Sequence, residues 1–598
     1  MYNTKVDFKA KRLDRGAFSY SGSLDGAIRF IEKHQLLDRE LWRLVIQQFA
    51  IGNADDRTHS WKGEYWGKLM RGACMTYAYT QNEELYSVLE DAARGLLVTE
   101  DEYGRFSTYS RDCEFNGWDM WCRKYVLLGY EYFLEICKDA VLGERIIAAM
   151  KRHADYIMSH IGEGKKRITE TSVIWQGLNS SSIMEPYVCL YGITGEKKYL
   201  DFAKYIIDEG GCREFDLFED IMRDGVYPYM LPVTKAYEMM SCFEGIARYY
   251  LATGEQKYLD TVLTFAKKVM ESDITIIGSA GCTHELFDHS VIGQFDPAYT
   301  GIMQETCVTV TWMKLCDLLY RITGDNTFID HIERSAYNAL LGSINTQLHK
   351  KDGLLPVVDS YSPLRKGFRG DKTGGFQWLI PGKAAYGCCV AIAAAGTALT
   401  ALSSVYRTER GFAFTLYQKG TVCAKAPEGS EVEFEIDTDY PVSGNISVTV
   451  HTKEAVQMEL DFRLPPYGKA IFTVNGAPEG TSRLWQDGDR VDIEIDMPLV
   501  CIRDTDISKD KKFGYAAFVK GPVVMALDER CNRGKADNVL CLNEGVQIEP
   551  VDRFELFPCR QAYTLRCGKD EYILVDYASA GKTWRPEDSV AAWIKADY

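Results

Sequence analysis

YGITGEKKYLDFAKYI (191–206), YLATGEQKYLDTVLTFAKKV (250–269) and YRITGDNTFIDHIERSAY (320–337) are one phrase written three times. A weaker copy is YAYTQNEELYSVLEDAARGLL (77–97). Each sets Thr-Gly, or Thr-Gln-Asn, between the end of an apolar helix and the start of an amphipathic one. Glycine suits the left-handed residue that closes a helix, and the acidic residue after it suits the next N-terminus. Thr194, Thr253 and Thr323 lie 59 and 70 residues apart, room for two helices and their connections per unit. Helical hairpins in a ring follow naturally. An open solenoid or an irregular all-α domain fits the same repeat, because periodicity does not encode closure.

Outward from these phrases, apolar residues keep helical spacing from about 22 to 405, as in YFLEICKDAVLGERIIAAMKRHADYI (132–157). Beyond 405 the texture turns to alternation broken by Gly, Pro and Asp: EVEFEIDTDYPVSGNISVTVHT (431–452), AIFTVNGAPEG (470–480) and DRVDIEIDMPLV (489–500). These predict antiparallel strands of a sandwich or jelly roll. The expected architecture is an (α/α)6-type helical barrel over 1–405 and a β-sandwich domain over 406–598. Residues 1–20 are available as a strand that packs on the β domain.

At 598 residues the chain exceeds one hydrophobic core, and 46% hydrophobic with 26% charged residues is the balance of a folded, non-membrane protein. A net charge of −16 speaks against nucleic acid as a partner, since phosphate recognition needs clustered Lys and Arg. Charges interrupt residues 1–20, so no secretion signal is read there and a cytoplasmic protein is expected. The 18 cysteines then read as reduced thiols, mostly buried. A homodimer is left open.

Two cysteine clusters precede helices: Glu305-Thr306-Cys307 before VTVTWMKLCDLLYRITG, and Gly387-Cys388-Cys389 before VAIAAAGTALTALSSVY. Adjacent helical residues point apart, so each cluster can share a ligand only in a turn or first helical turn, which is where both fall. Helix N-termini favour thiolate and carboxylate, and three thiolates with one carboxylate would make a tetrahedral zinc site. Two buried core thiols are the default alternative for Cys388-Cys389: chance alone supplies roughly half of one adjacent Cys pair, and no zinc-finger spacing is present.

GSAGCTHELFDHS (278–290) gathers His284, Glu285, Asp288 and His289 in a loop, a supply of acid/base groups or merely a solvated turn. WKGEYWGKLMRGA (61–73), FNGWDMWCRKYVLLG (115–129) and VIWQGLNSSSIMEPYVCLY (173–191) offer aromatic faces for sugar rings and polar groups for hydroxyls, or ordinary interhelical packing.

Taken together, in order and spacing, GEYWGKLMRGA, GWDMWCRKYVLLG, the GS…HELF loop, ETC, the CC pair, TDYPVSGNISVTV and FGYAAFVKGPVVMALD resemble glycoside hydrolase family 127, the β-L-arabinofuranosidase family. The resemblance covers most of the chain. It implies a retaining hydrolase acting on an oligosaccharide, with Zn2+ held by Glu305, Cys307, Cys388 and Cys389. Cys388 is implied as nucleophile and Glu285 as acid/base, so the two-carboxylate separation rule does not apply. Around the sugar we expect Trp118, Asp119 and Trp121, then Ser181, Ser182 and Glu185, then Lys235 and Tyr361.

This chain departs from the family where arabinofuranose-binding histidines are expected: GLNSSSIMEP (177–186) and VTKAYEMMS (233–241) contain none. Lys235 raises an acidic branched furanose such as aceric acid as a second substrate reading, or simply a structural ion pair with Glu238. Two rival functions remain. A metal-free sugar epimerase or unsaturated uronyl hydrolase would use the same toroid, and a non-catalytic glycan-binding protein would use the β half.

Overall fold

The computed structural model describes residues 4–50, 60–283, 285–299, 303–350, 356–371 and 375–598. Twelve helices build the first half of the chain: α1 Ser23–Ile31, α2 Glu64–Thr80, α3 Glu83–Leu97, α4 Asp119–Ile136, α5 Ala140–His160, α6 Met184–Thr194, α7 Lys197–Asp208, α8 Ala236–Thr253, α9 Gln256–Ser272, α10 Thr306–Thr323, α11 Thr327–Ser335 and α12 Cys388–Leu402. A short helix, Arg39–Gln47, flanks them, and smaller turns fill the connections. The even-numbered helices pack in sequence, α2 on α4 on α6 on α8 on α10 on α12, and α12 returns to α2. The ring is closed. Each odd-numbered helix from α3 to α11 covers the inner helix before it, and α1 covers α12.

Burial separates the two layers. Outer helix α9 hides one stripe, Tyr258, Leu259, Val262, Phe265, Ala266 and Val269, at the spacing of an amphipathic helix. Inner helix α2 is buried at nearly every position, including Glu64, Lys68 and Arg71. Small residues let the inner helices approach: a Cβ at Gly67 would stand 1.8 Å from the Tyr125 carbonyl oxygen of α4. One at Gly72 would stand 2.7 Å from the Ala395 nitrogen of α12. Substituting either residue would force the helices apart.

The repeated phrase makes one repeated turn. Thr194 Oγ1 donates to the Leu190 carbonyl (2.7 Å) and accepts the Glu196 N–H (3.2 Å), around Gly195 at φ 72°. Thr253 and Thr323 do the same with Tyr249 and Glu255, and with Leu319 and Asp325, around Gly254 and Gly324. In the weak copy Gln81 takes the left-handed place at φ 50°, and Asn82 caps α3 through the Glu84 N–H. Such a turn closes four of the six inner helices, α2, α6, α8 and α10, and because inner and outer helices alternate along the chain the inner N-termini aim at the same mouth of the ring. Their partial positive charges add there.

The β region begins at Val405. A six-stranded sheet runs in the order Ala470–Val474, Arg490–Ile495, Asn445–Thr452, Glu431–Thr438, Gly420–Lys425, Phe18–Tyr20. A five-stranded sheet faces it, with Lys11–Arg12 at its edge, and Phe412 and Phe414 meet Phe434 between the layers, each with ring centroids 5.1 Å apart. The N-terminal strands thus enter both sheets of the sandwich.

From Leu499 onward the strands belong to a further nine-stranded sheet, so the β region contains two bodies. Only three residues, 496–498, join them, and these have no texture to mark a boundary. The last sheet grips the helical ring from outside. Asn338 bonds the backbone of Pro522 and Val524, Arg369 donates to the carbonyls of Tyr577 and Ala580, and Lys582 donates to those of Leu341, Gly342 and Ile344. These bonds immobilise the two ends of the segment that carries Tyr361. Among the described residues, no helix is long and apolar enough to cross a membrane.

Candidate active site

At the mouth where the inner N-termini converge, the two cysteine clusters meet. Cys388 and Cys389 are the first two residues of α12, and Cys307 is the second of α10. Glu305 ends a short strand, Met303–Glu305, that pairs with Tyr361–Pro363, Glu305 opposite Tyr361. One ligand atom from each of Glu305, Cys307, Cys388 and Cys389 lies within 4.8 Å of every other. The two adjacent sulfurs are 3.9 Å apart, and Glu305 Oε1 is 3.9 Å from Cys388 Sγ and 3.4 Å from Cys389 Sγ. Neighbours in sequence share a site because the helix is only starting there.

Zinc bound tetrahedrally, with Zn–S near 2.3 Å and Zn–O near 2.1 Å, needs S···S edges of about 3.8 Å and S···O edges of about 3.6 Å. The 3.9 Å S···S separation and the 3.9 and 3.4 Å S···O separations lie close to those edges. Glu305 Oε2 is buried with no hydrogen-bond partner, an orphan acceptor of the kind a cation satisfies. The donor set therefore fits a divalent, sulfur-tolerant metal.

Electrostatics single out one thiol. Hydrogen bonds from Cys307 and Cys389, then the charges of Lys68 and Lys235, hold Cys388 well below the ordinary thiol range against the effect of burial. Burial pushes Cys307 and Cys389 up. Burial also raises Glu305 far above the usual carboxylate range, helped by the charges of Glu285 and Cys388.

Cys388 and Glu305 form the floor of a cavity of about 200 Å³. Trp118, Trp121, Lys235 and Glu285 line it, as expected from the sequence. Glu285 sits between two donors, accepting from Lys235 Nζ and from Tyr361 Oη. Its backbone is left-handed, φ 67°, a conformation that costs a non-glycine residue roughly 1 kcal/mol and persists only where neighbours impose it. Here the Ala236 N–H to Glu285 carbonyl bond (3.0 Å) and the Phe287 N–H to Thr234 carbonyl bond (2.7 Å) impose it. Elsewhere in the loop, Asp288 accepts from Thr283 N–H and Ser290 Oγ, so it shapes the turn, and His289 stacks on Tyr229. His284 lies outside the described residues.

Four expected sugar contacts are elsewhere. Asp119 is fully buried, its oxygens taken by Ser107 Oγ (2.6 Å), the Phe115 N–H (2.8 Å) and Arg123 Nε (3.0 Å), so it anchors a loop. Ser181 is buried and donates to the Gly177 carbonyl (3.2 Å), and its neighbour Ser182 donates to that of Asn179. Glu185 points away from the mouth, faces Lys124 at 3.9 Å and lines a different cavity.

Further residues line the cavity that the sequence did not single out: Trp61, Glu64, Lys68 and Trp175, which lie in the aromatic phrases noted there, and Tyr237 and Glu238. Glu64 pairs with Lys68 at 2.8 Å and accepts from the Trp121 indole; burial, with the charge of Cys388, pushes its carboxyl up to about 7 although Lys68 opposes this. Lys68 Nζ lies over the Tyr237 ring, 4.6 Å from its centroid. The available signal was a charged i, i+4 pair inside an otherwise apolar helix. Gly375, φ 72°, closes over the Cys388 sulfur: a Cβ there would stand 2.4 Å from Cys388 Sγ.

The profile described as β-L-arabinofuranosidase, GH127 catalytic domain, matches residues 31–357, and that of the GH127 middle domain matches 411–497. A curated relative, the non-reducing end β-L-arabinofuranosidase of Bifidobacterium longum subsp. longum, is 22% identical over 385 residues, 58% of this chain and 56% of that enzyme. The match thus spans little more than half of that relative's length.

Among solved structures, a GH127 β-L-arabinofuranosidase from Geobacillus stearothermophilus T6 superposes with TM-score 0.75 at 18% identity, covering 98% of this chain and 100% of that one. Another GH127 β-arabinofuranosidase gives TM-score 0.75 at 16% identity over 99% and 98% of the two chains. At such identity the likeness is one of fold. Because the catalytic-domain profile alone accounts for more than half of the 598 residues, this chain belongs to glycoside hydrolase family 127.

Proposed function

We propose that the protein is a retaining glycoside hydrolase that removes a terminal β-L-arabinofuranosyl or related neutral furanosyl residue from an oligosaccharide. The observation that carries this reading is the convergence of Glu305, Cys307, Cys388 and Cys389 on the floor of a cavity with Glu285 in its wall. At about 200 Å³ the cavity is smaller than the roughly 300–1,000 Å³ of pockets for drug-sized ligands, which suits a single terminal sugar ring. Its four indoles supply faces for that ring.

Glu305, Cys307, Cys388 and Cys389 would hold Zn2+. When bound, it would keep the cysteines deprotonated near neutral pH and make sulfur a better leaving group. Cys388 attacks the anomeric carbon and displaces the aglycone. Glu285 gives its proton to the departing oxygen, and then removes a proton from the water that cleaves the thioglycosyl bond. Tyr361 and Lys235 orient Glu285 through both of its oxygens. Two displacements at one carbon retain its configuration.

Charge in the cavity favours a neutral sugar over an acidic one. Glu64, Glu238, Glu285 and Glu305 stand against Lys68 and Lys235, and each lysine is already paired, with Glu64 and with Glu285. No spare cation lines the described wall to receive a carboxylate, which argues against aceric acid.

The direct test is hydrolysis of an aryl β-L-arabinofuranoside by protein of measured zinc content. One zinc per chain, release of the β-anomer as first product and inactivation by chelator are expected. Full turnover by metal-free protein would sink the zinc-thiolate reading and favour an epimerase-like or uronyl hydrolase toroid. Sugar binding without cleavage of any furanoside would leave a glycan-binding protein.

A further inference from the structure

The ring has a second mouth, where the inner helices end, and the N-terminal segment lies across it. Lys5 and Val6 donate backbone N–H groups to the Leu251 carbonyl, Ala10 donates to that of Arg321, and Lys9 Nζ donates to that of Thr323. Beneath this segment is a chamber of about 540 Å³, more than twice the volume of the catalytic cavity. None of its lining residues is shared with the catalytic cavity. Between the two, Lys124 lies over the Trp121 ring at 4.8 Å while reaching toward Glu185.

The chamber's charges are unevenly matched. Glu244 is held by Lys314 at 2.8 Å, and Asp317 by Arg12 at 2.7 Å with hydroxyl bonds from Ser403 and Tyr406. Arg248 and Arg321 are not held by a carboxylate in this way, and Arg321 lies instead over the Phe8 ring, 3.9 Å from its centroid. Among the described residues Arg248 makes no ion pair, its Nε has no hydrogen-bond partner, and Glu131 and Glu185 face it from beyond ion-pair distance. Arg321 Nε is likewise unpartnered, and its nearest carboxylate, Asp317, is 4.0 Å away and already committed to Arg12.

Helix carboxyl ends attract cations, but the nearby end carbonyls are taken by the N-terminal segment, not by these guanidiniums. Burial, with the charges of Arg12 and Arg248, pushes Arg321 down to about 10 despite Asp317. The charges of Cys189, Glu131, Tyr132 and Glu185 hold Arg248 well above its ordinary range against burial. A guanidinium whose N–H donors are left unspent at a cavity wall is a receptor for an oxyanion, which it grips through paired N–H groups.

We propose that this chamber is a second ligand site, in which Arg248 and Arg321 bind the carboxylate or phosphate of a small anionic molecule. The volume exceeds what a bare anion fills, so the ligand carries further polar structure toward the paired groups Glu244 and Lys314. This site stands independently of the hydrolytic reading.

Calorimetric titration of the full chain tests it, with inorganic phosphate in one arm and citrate in the other at constant ionic strength. Saturable binding of one equivalent is expected in at least one arm, and the responding arm identifies the oxyanion. Arg248→Gln should weaken it at least about tenfold. Arg321→Gln is the second variant, should the first not fold, and the same loss is expected of it. Absence of saturable heat in both arms, or wild-type affinity in every folded variant, overturns the proposal.

Discussion

Two of the buried charge clusters in this molecule are finished differently. Where the helical ring meets the sandwich, Arg463 donates to the Thr415 carbonyl (2.6 Å), Glu333 (2.5 Å) and Asp330, while Tyr440 and Tyr467 each donate to Glu333 at 2.8 Å. Every oxygen of Glu333 has a partner. At the catalytic mouth Glu305 Oε2 has none, three thiols crowd one carboxylate, and Glu285 is held in a left-handed backbone. Both places are buried, so burial alone does not distinguish scaffold from function. Unfinished valence does: the first cluster is complete without a ligand, and the second keeps an unpartnered buried oxygen that the proposed metal would satisfy.

The contrast predicts that substitutions in the two clusters damage different properties. The largest effect belongs to Cys388→Ser, which should lower kcat/KM for an aryl β-L-arabinofuranoside at least about a thousandfold. In chelator-treated protein the same change should move unfolding stability by no more than about 1 kcal/mol. Residual activity near wild type would remove Cys388 from the reaction. Glu285→Gln should follow with a loss of about a hundredfold on an alkyl arabinofuranoside, and a smaller first-step loss on a nitrophenyl one whose leaving group needs no proton. Equal losses on both substrates would make Glu285 a positioning residue.

In the clamp, Arg463→Met should lower unfolding stability by about 3–5 kcal/mol, because Glu333 would be left buried and unpaired. Denaturant titration reads this directly. The activity of the folded fraction should not change, and a parallel fall in kcat per folded molecule would erase the distinction between the clusters.

How much of this was legible in the sequence depended on how local the signal was. The Thr-Gly turn is written in five or six adjacent residues, and Thr194, Thr253 and Thr323 all make it. That Cys307 and the Cys388–Cys389 pair stand at helix starts was legible for the same reason, while their meeting with Glu305 was implied only by the family resemblance. Closure of the ring was not, since it rests on α12 meeting α2 across more than 300 residues.

Nor does a short phrase say which face of an inner helix looks into the lumen. Asp119 and Glu185 carry the right chemistry and point to other places. The Glu64–Lys68 pair reads like surface decoration until the burial of α2 is known. The break near Leu499 was hidden because strand texture continues through it.

The smallest expected effect probes the comparison at its weakest point, an unfinished valence in the scaffold. His153 is wholly buried on α5, its Nδ1 accepts the Phe106 N–H at 3.1 Å, and its Nε2 has no partner. Burial, then the charges of Arg123 and Arg105, holds this imidazole well below its ordinary range. In the unfolded chain it takes a proton near pH 6.5. The unfolded state therefore binds more protons as pH falls below that value, and stability is lost by up to about 1.4 kcal/mol per pH unit until the depressed folded value is reached. Above about pH 6.5 this contribution is constant. His153→Gln should remove that slope and leave the slope from the carboxylates. Urea titrations of both proteins between about pH 7 and pH 5 check this, and parallel curves would mean that the native imidazole accepts the proton as readily as the unfolded one. A confirmed slope would show that an unsatisfied buried nitrogen can be structural, so that unfinished valence marks function only where several such groups converge.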